Sequence, residues 1–276
     1  MKTSLLLLAC LAVPLFANAA PVIQPEMLTA AQVRRDGSHD EALRIVKQQF
    51  ERIATGAKDT RQDYFITMFE WGLLVEEHVA ARTAMISERD EQVRRLLEGD
   101  SIFCTDGFMP ISRFHVIVDM NQFLQDSRAT YRLVTQLLAH NPALVRHEIH
   151  RALPAIVEAG DYALAIQYIK NPLDSLLDLN RLARDLPIYP PHGNAPRLAA
   201  ELTGFMGNVI LRRKALTGLG RDAEAEQLRA AALKGIHSPE LRALASGELA
   251  EPGSITRLVT EHQMRQRMAP LSTAEP

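Results

Sequence analysis

What most constrains this chain is the period of its apolar residues. From residue 25 onward they recur at three- and four-residue spacings, and no sustained two-residue alternation runs between turn residues. Such a pattern buries one stripe of a helix and leaves no half-buried strand from which to build a sheet. Leu, Ala, Arg and Glu, all good helix formers, dominate, while aromatic residues make up only 5% of the chain. The expected fold is all-α, an array of antiparallel helical hairpins with about 11–13 helices punctuated by Gly, Pro and Asn.

Pro25 opens a first helix that stops at Gly37. Ser38 then starts a second, with Glu41 three residues on in the pattern of a capping box. In that second helix Ala42, Val46, Phe50, Ile53 and Ala54 fall on one face, so the pair reads as a hairpin with a short turn. From Thr60 to Gly99 the spacing is helical again. Tyr64, Met68, Trp71 and Val75 line one stripe, which places the single tryptophan in the core, and a further helix is expected over 80–98. Helices follow at 112–125, 128–140, 143–159, 162–170 and 173–185, then at 196–217, 221–235, 239–247 and 254–267. Two segments break the pattern. Residues 99–112 carry Asp100, Ser101, Asp106, Gly107 and Pro110, and residues 185–197 crowd Pro187, Pro190, Pro191, Gly193 and Pro196 together, all turn-favouring types. The second break suggests an N-terminal helical region over 20–186, a C-terminal helical region over 187–270 and a disordered tail over 271–276.

The first nineteen residues read as an export signal. Met1 and Lys2 are followed by an apolar run from Leu5 to Phe16, and Ala17-Asn18-Ala19 offers a small-x-small cleavage site, so cleavage is expected after Ala19. The rival processing site, Leu7-Leu8-Ala9-Cys10, would leave a lipid anchor on Cys10. It stands very near the start, and the apolar run continues past it. The run is shorter than the roughly 20 apolar residues that span a bilayer, and no later segment approaches that length, so no transmembrane segment is expected. The mature chain would be periplasmic or secreted. With Lys2 gone it carries thirty basic and thirty-three acidic residues, net −3, which gives no electrostatic footprint for nucleic acid. Cys104 is the one cysteine left after export, which rules out an internal disulfide; apolar neighbours Ile102 and Phe103 favour its burial.

A local pattern recurs at three turns. Gly37 is followed five residues later by Ala42, Gly160 by Ala165 and Gly220 by Ala225. Glycine leaves a helix in a left-handed conformation, and a small alanine lets the next helix pack closely on it. Here the chain resembles the tetratricopeptide and related helical-hairpin repeats. The family's larger apolar residue four positions after the alanine is met by Val46 and Ile169 but not by Arg229. Its small close-packing position on the preceding helix falls on Ala30, Leu153 and Arg213, of which only the first is small. The resemblance therefore covers about a third of the mature chain. It implies an α-solenoid-like scaffold with a groove for peptide or protein, and it carries over no catalytic residue.

Chemistry-bearing constellations are sparse. Gly99-Asp100-Ser101-Ile102 has the letters of a GDSL-type nucleophile segment but follows a helix, and the only Asp-x-x-His pair, Asp36 with His39, lies upstream. His147 and His150, three apart on the expected 143–159 helix, supply two metal ligands without a third. Arg94-Arg95 and Arg212-Arg213-Lys214 read as solvated faces beside acids. No catalytic residue, metal or cofactor is expected. The two irregular loops are long for a compact domain, so Phe108 and Met109 in the first, and Tyr189 and His192 in the second, are the candidate partner-binding residues. The function expected is that of an exported helical scaffold engaging a protein partner, an envelope protein or a toxin. The alternatives are a periplasmic hydrolase or an immunity protein.

Overall fold

The structure, a computed structural model, describes residues 25–56, 60–105, 110–191 and 193–268. The expected signal peptide with its cleavage point, Cys10, the 271–276 tail and the candidate residues Phe108, Met109 and His192 lie outside the described residues. The fold is all-α, as the apolar period requires, and the chain divides into two compact units between Asp161 and Tyr162.

In the first unit, helices α1 (Pro25–Arg35), α2 (His39–Ala54), α3 (Thr60–Glu77) and α4 (Val79–Leu97) form two consecutive hairpins. Gly37 closes α1 in the left-handed region at φ 83°, and the Ser38 N–H reaches back to the Val33 carbonyl at 3.0 Å, a helix-ending turn that L residues seldom adopt. The capping box expected at Ser38 does not form. Its side chain caps nothing, and the Glu41 carboxylate that would complete the box is taken by Arg44 at 2.6 Å. The α2 stripe is buried as expected over Ala42, Val46, Phe50 and Ile53, and Tyr64, Met68, Trp71 and Val75 are buried on α3.

The first irregular loop contains a small antiparallel ribbon. Ile102–Cys104 (β1) pairs with Ile111–Ser112 (β2), Ile102 opposite Ser112 and Cys104 opposite Ile111, with a bulge between. Ser112 then caps α5 (Arg113–Leu124) by accepting the His115 N–H at 3.0 Å. Asp126 caps α6 (Ser127–His140) in the same way through Ala129. The continuous helix expected over 143–159 is absent. Short 3-10 turns cover Pro142–Leu144 and Ile149–Ala152, and only α7 (Leu153–Glu158) is α-helical. His147 and His150 therefore do not share a helical face.

The second unit begins with α8 (Tyr162–Tyr168) and α9 (Leu176–Asp185). It centres on the long α10 (Arg197–Gly218), against which α8, α9, α11 (Asp222–Gly235), α12 (Pro239–Ala250) and α13 (Ser254–Met268) all pack. Leu198, Leu202, Phe205, Met206 and Val209 put the apolar face of α10 into the core. The proline-rich segment lies within this unit, with Ile188 and Pro190 turned inward. Among the described residues no helix is long and apolar enough to cross a membrane.

Candidate functional site

Three helices of the first unit lie side by side and point the same way. Arg34, at the end of α1, donates to Glu70 at 3.2 Å and to Glu77 at 2.9 Å, both in the second half of α3. The Tyr64 hydroxyl, early in α3, donates to Asp119 of α5 at 2.8 Å, and Gly72 further along α3 meets Phe123 further along α5. From α3 to α5 the contacts advance together, 64 with 119 and 72 with 123, and α1 and α3 are alternate arms of successive hairpins, so α1, α3 and α5 run parallel, with α3 in the middle.

Gly72 is what allows this closeness, since a β-carbon there would overlap the Phe123 ring. With α1 on one flank of α3 and α5 on the other, the sector between them carries Ile66, Phe69 and Leu73, spaced three and four apart and hence on one face, with Phe65 beside them. All four are half-buried. Phe65 and Ile66 also pack on the core, while exposed Glu76 and Glu77 close the row at its C-terminal end and Asp119 stands beside it on α5.

At the other end of the row sits a polar knot. Asp119 accepts from Tyr64 and stands 3.1 Å from His115 Nε2, four residues earlier on α5. The imidazole packs edge-on against Tyr64, with ring centroids 5.7 Å apart, and the Phe65 ring is 6.3 Å away. Burial, and then the neighbouring Asp119 carboxylate, push the Tyr64 phenol well above its usual pKa, so the hydroxyl stays protonated and keeps donating. Cys104 is buried at 4% exposure, as its apolar neighbours predict, and His115 at 5%.

The ribbon beside this face is fixed at its base by Arg113, whose side chain is wholly buried. Its guanidinium donates to the Asp100 carbonyl at 2.8 Å, the Asp100 carboxylate at 2.7 Å, the Ile102 carbonyl at 2.8 Å and Gln92 of α4, while its backbone N–H bonds to the Ser101 carbonyl at 2.8 Å. It also lies 5.9 Å from the centre of the Phe103 ring. Burial works against the Asp100 charge, yet the Arg113 and Arg95 guanidiniums overcome it and hold the carboxyl below its usual range. Asp100 and Ser101, which look like part of a hydrolase motif, thus serve the ribbon's anchorage.

Of the sequence candidates, Tyr189 is half-buried and stacks on His262 of α13 with centroids 4.7 Å apart, so much of its ring is occupied in holding the second loop to its own unit. Arg94 pairs with Glu91 and Glu98, Arg95 with Asp100, and Arg212 donates to the Ile169 carbonyl. Each of these side chains has a partner within its own unit. Among the described residues no group of three or more His, Cys, Asp or Glu is placed to hold a metal ion. A recess beside α2 is lined by Glu41 and Arg44, already paired with each other.

The row on α3 was not singled out by the sequence reading, although a signal for it exists. From Tyr64 to Val75 almost every residue is apolar, more than one helix face can bury in a two-sided packing. Comparison with protein-family models, with curated proteins and with solved structures found no match.

Proposed function

We propose that the chain is an exported helical-hairpin scaffold that works by protein–protein interaction, and that the sector of α3 between α1 and α5 is its contact surface. The observation that carries this is the contiguous half-buried row Phe65, Ile66, Phe69 and Leu73 on a rigid three-helix face. Scattered exposed apolar residues are ordinary on any protein, whereas a contiguous row rimmed by polar groups is the mark of an interface. Helices hold such a row in fixed geometry, so little conformational freedom is lost on binding. The export half of the reading rests on the N-terminal leader pattern, and the scaffold half on the recurrent glycine turns, where Gly37, Gly160 and Gly220 are left-handed and Ala42, Ala165 and Ala225 are buried. The hydrolase alternative would use Cys104, His115 and Asp119, and the burial of thiol and imidazole weighs against it.

A benzophenone side chain placed at position 69, compared with one at the solvated position 94 of α4, tests the reading in the envelope fraction. A discrete cross-linked product from position 69 and none from 94 is expected. Equal labelling from both, or none from 69, would remove the α3 face as the contact surface. Rapid maleimide labelling of native Cys104 would reopen the enzyme reading.

A further inference from the structure

Building on that reading, we infer that the occupant of the α3 face is a cationic amphipathic segment, with aliphatic side chains along one side and Lys or Arg flanking them. The charges around the row are unequal. Glu70, Glu76, Glu77 and Asp119 surround it, and Arg34 is the one guanidinium that reaches them from α1. Arg34 itself is only 14% exposed at its side chain and is shared between Glu70 and Glu77, so its charge is matched before any partner arrives. Arg151, a cation close enough to Tyr64 to affect its ionisation, is met by Glu148 at 3.3 Å. Asp119 takes its hydrogen bond from the neutral Tyr64 hydroxyl, and Glu76 is exposed. Acidic groups thus stand at both ends of the apolar row: Glu76 and Glu77, the latter 3.6 Å from His39, at the C-terminal end of α3, and Asp119, with His115 beside it, at the other.

The length of the row sets the size of the guest. Ile66 to Leu73 is eight residues of helix, about 10 Å from first to last, which two turns of a guest helix or three to four extended residues would cover. A guest with two or three aliphatic anchors would lie over Phe69 and Leu73, and cations to either side of those anchors would meet the acids at the two ends without burying an unpaired charge. An anionic guest of the same shape would bring like charges to both ends.

The test uses the whole mature chain and three synthetic fourteen-residue peptides, sized to about 20 Å of helix. One carries Leu at helical spacing with Lys at the remaining positions, the second has the same Leu positions with Glu in place of Lys, and the third is a scramble of the first. Binding is read by fluorescence anisotropy at about 50 mM and 200 mM salt. The Lys peptide is expected to bind at least about tenfold more tightly than the Glu peptide at low salt, and the preference is expected to shrink at high salt. Phe69→Ser should weaken the Lys peptide at both salts, and Glu76→Lys with Glu77→Lys should weaken it at low salt only. Circular dichroism of each variant distinguishes a lost surface from a lost fold. If both peptides bind equally and both depend on Phe69, the face stands as the interface and the cationic partner is overturned. If the Lys peptide and its scramble bind alike and Phe69 is irrelevant, the attraction is charge alone and the inference fails. If sedimentation shows self-association that Phe69→Ser abolishes, the occupant is a second copy of the chain and the inference also fails.

Discussion

Between α1 and α7 the interior mixes buried polar groups, among them Gln49, Gln92, Arg113, His115, Asn121 and Thr130, with Phe50, Tyr64 and Trp71. Between α8 and α13 it is mostly Leu, Ala, Ile and Val, and its buried polar residues, Glu248, Ser254 and Thr256, gather where α12 meets α13. There the Glu248 carboxylate accepts from the Gly253 and Ile255 N–H groups and from the Ser254 hydroxyl, so a side chain of one helix caps the start of the next. An aliphatic interior is held by volume and tolerates exchange of like for like. A polar interior tolerates little, because every removed partner leaves another group buried and unpaired. The difference teaches where geometry is being specified: in the first unit, beside the ribbon and the α3 face.

The strongest way to break this contrast is Arg113→Met set against Leu202→Met in α10. Arg113→Met strips donors from the Asp100 carboxylate, two carbonyls and Gln92, and is expected to cost about 3–5 kcal/mol in denaturant unfolding. Leu202→Met keeps the volume and should cost under about 1.5 kcal/mol. Similar costs for the two would show that the polar interior specifies nothing. Next in size are Gly72→Ala and Gly218→Ala, one in each unit. Each new methyl would overlap an aromatic ring, Phe123 in the first case and Tyr162 in the second, and each should destabilise by about 1–3 kcal/mol. Equal costs are expected, since close helix approach is common to both units; a harmless Gly72→Ala would mean that α5 does not press on α3.

Smaller still is Tyr189→Ala, which removes the stack on His262 and is expected to cost about 1 kcal/mol. Melting temperature and partner recovery together decide its role. Unchanged stability with lost binding would move recognition to the second loop and into the aliphatic unit, reversing the contrast. The smallest effect is on the pH profile. Asp100 is held below its usual range in the folded chain, so its contribution is full above about pH 4 and is lost as the pH falls through the folded value. Tyr64 is raised, so its contribution is full below about pH 10 and is lost as the pH climbs through the folded value. Urea midpoints measured across pH should show the acid-side loss diminished in Arg113→Met and the alkaline loss diminished in Tyr64→Phe, the remainder including Tyr131, which is raised by its hydrogen bond to Asp161. Unaltered profiles would mean that these ionisations are not coupled to folding.

The helices were legible because their signals are local: the Ala42, Val46, Phe50 and Ile53 stripe, the left-handed Gly37, and the tryptophan on its apolar face all follow from spacing a few residues long. The ribbon was not, since three residues pairing with two across a bulge show no alternation. Nor was the break-up of 143–159, where Pro142 opens a short 3-10 turn and Pro154 sits in the first turn of α7, in a stretch whose apolar period still looks helical. Arg113 was invisible for another reason. A charged residue is taken for surface by default, and only partners brought from α4 and the ribbon make its burial tolerable. The α3 row was written in the sequence as an excess of apolar residues, but which of them stay half-open is decided by α1 and α5.

The Arg113 anchorage also bears on how the first unit comes to be ordered in time. Its guanidinium cannot leave water until Gln92, the Asp100 and Ile102 carbonyls and the Asp100 carboxylate have all arrived around it, and these come from α4, from the chain entering the ribbon and from the ribbon itself. Any intermediate with two of the three in place carries a half-solvated cation and gains little. The segment from α4 to α5 should therefore appear in native-state hydrogen exchange as one cooperative block, opening together rather than fraying outward from the ribbon.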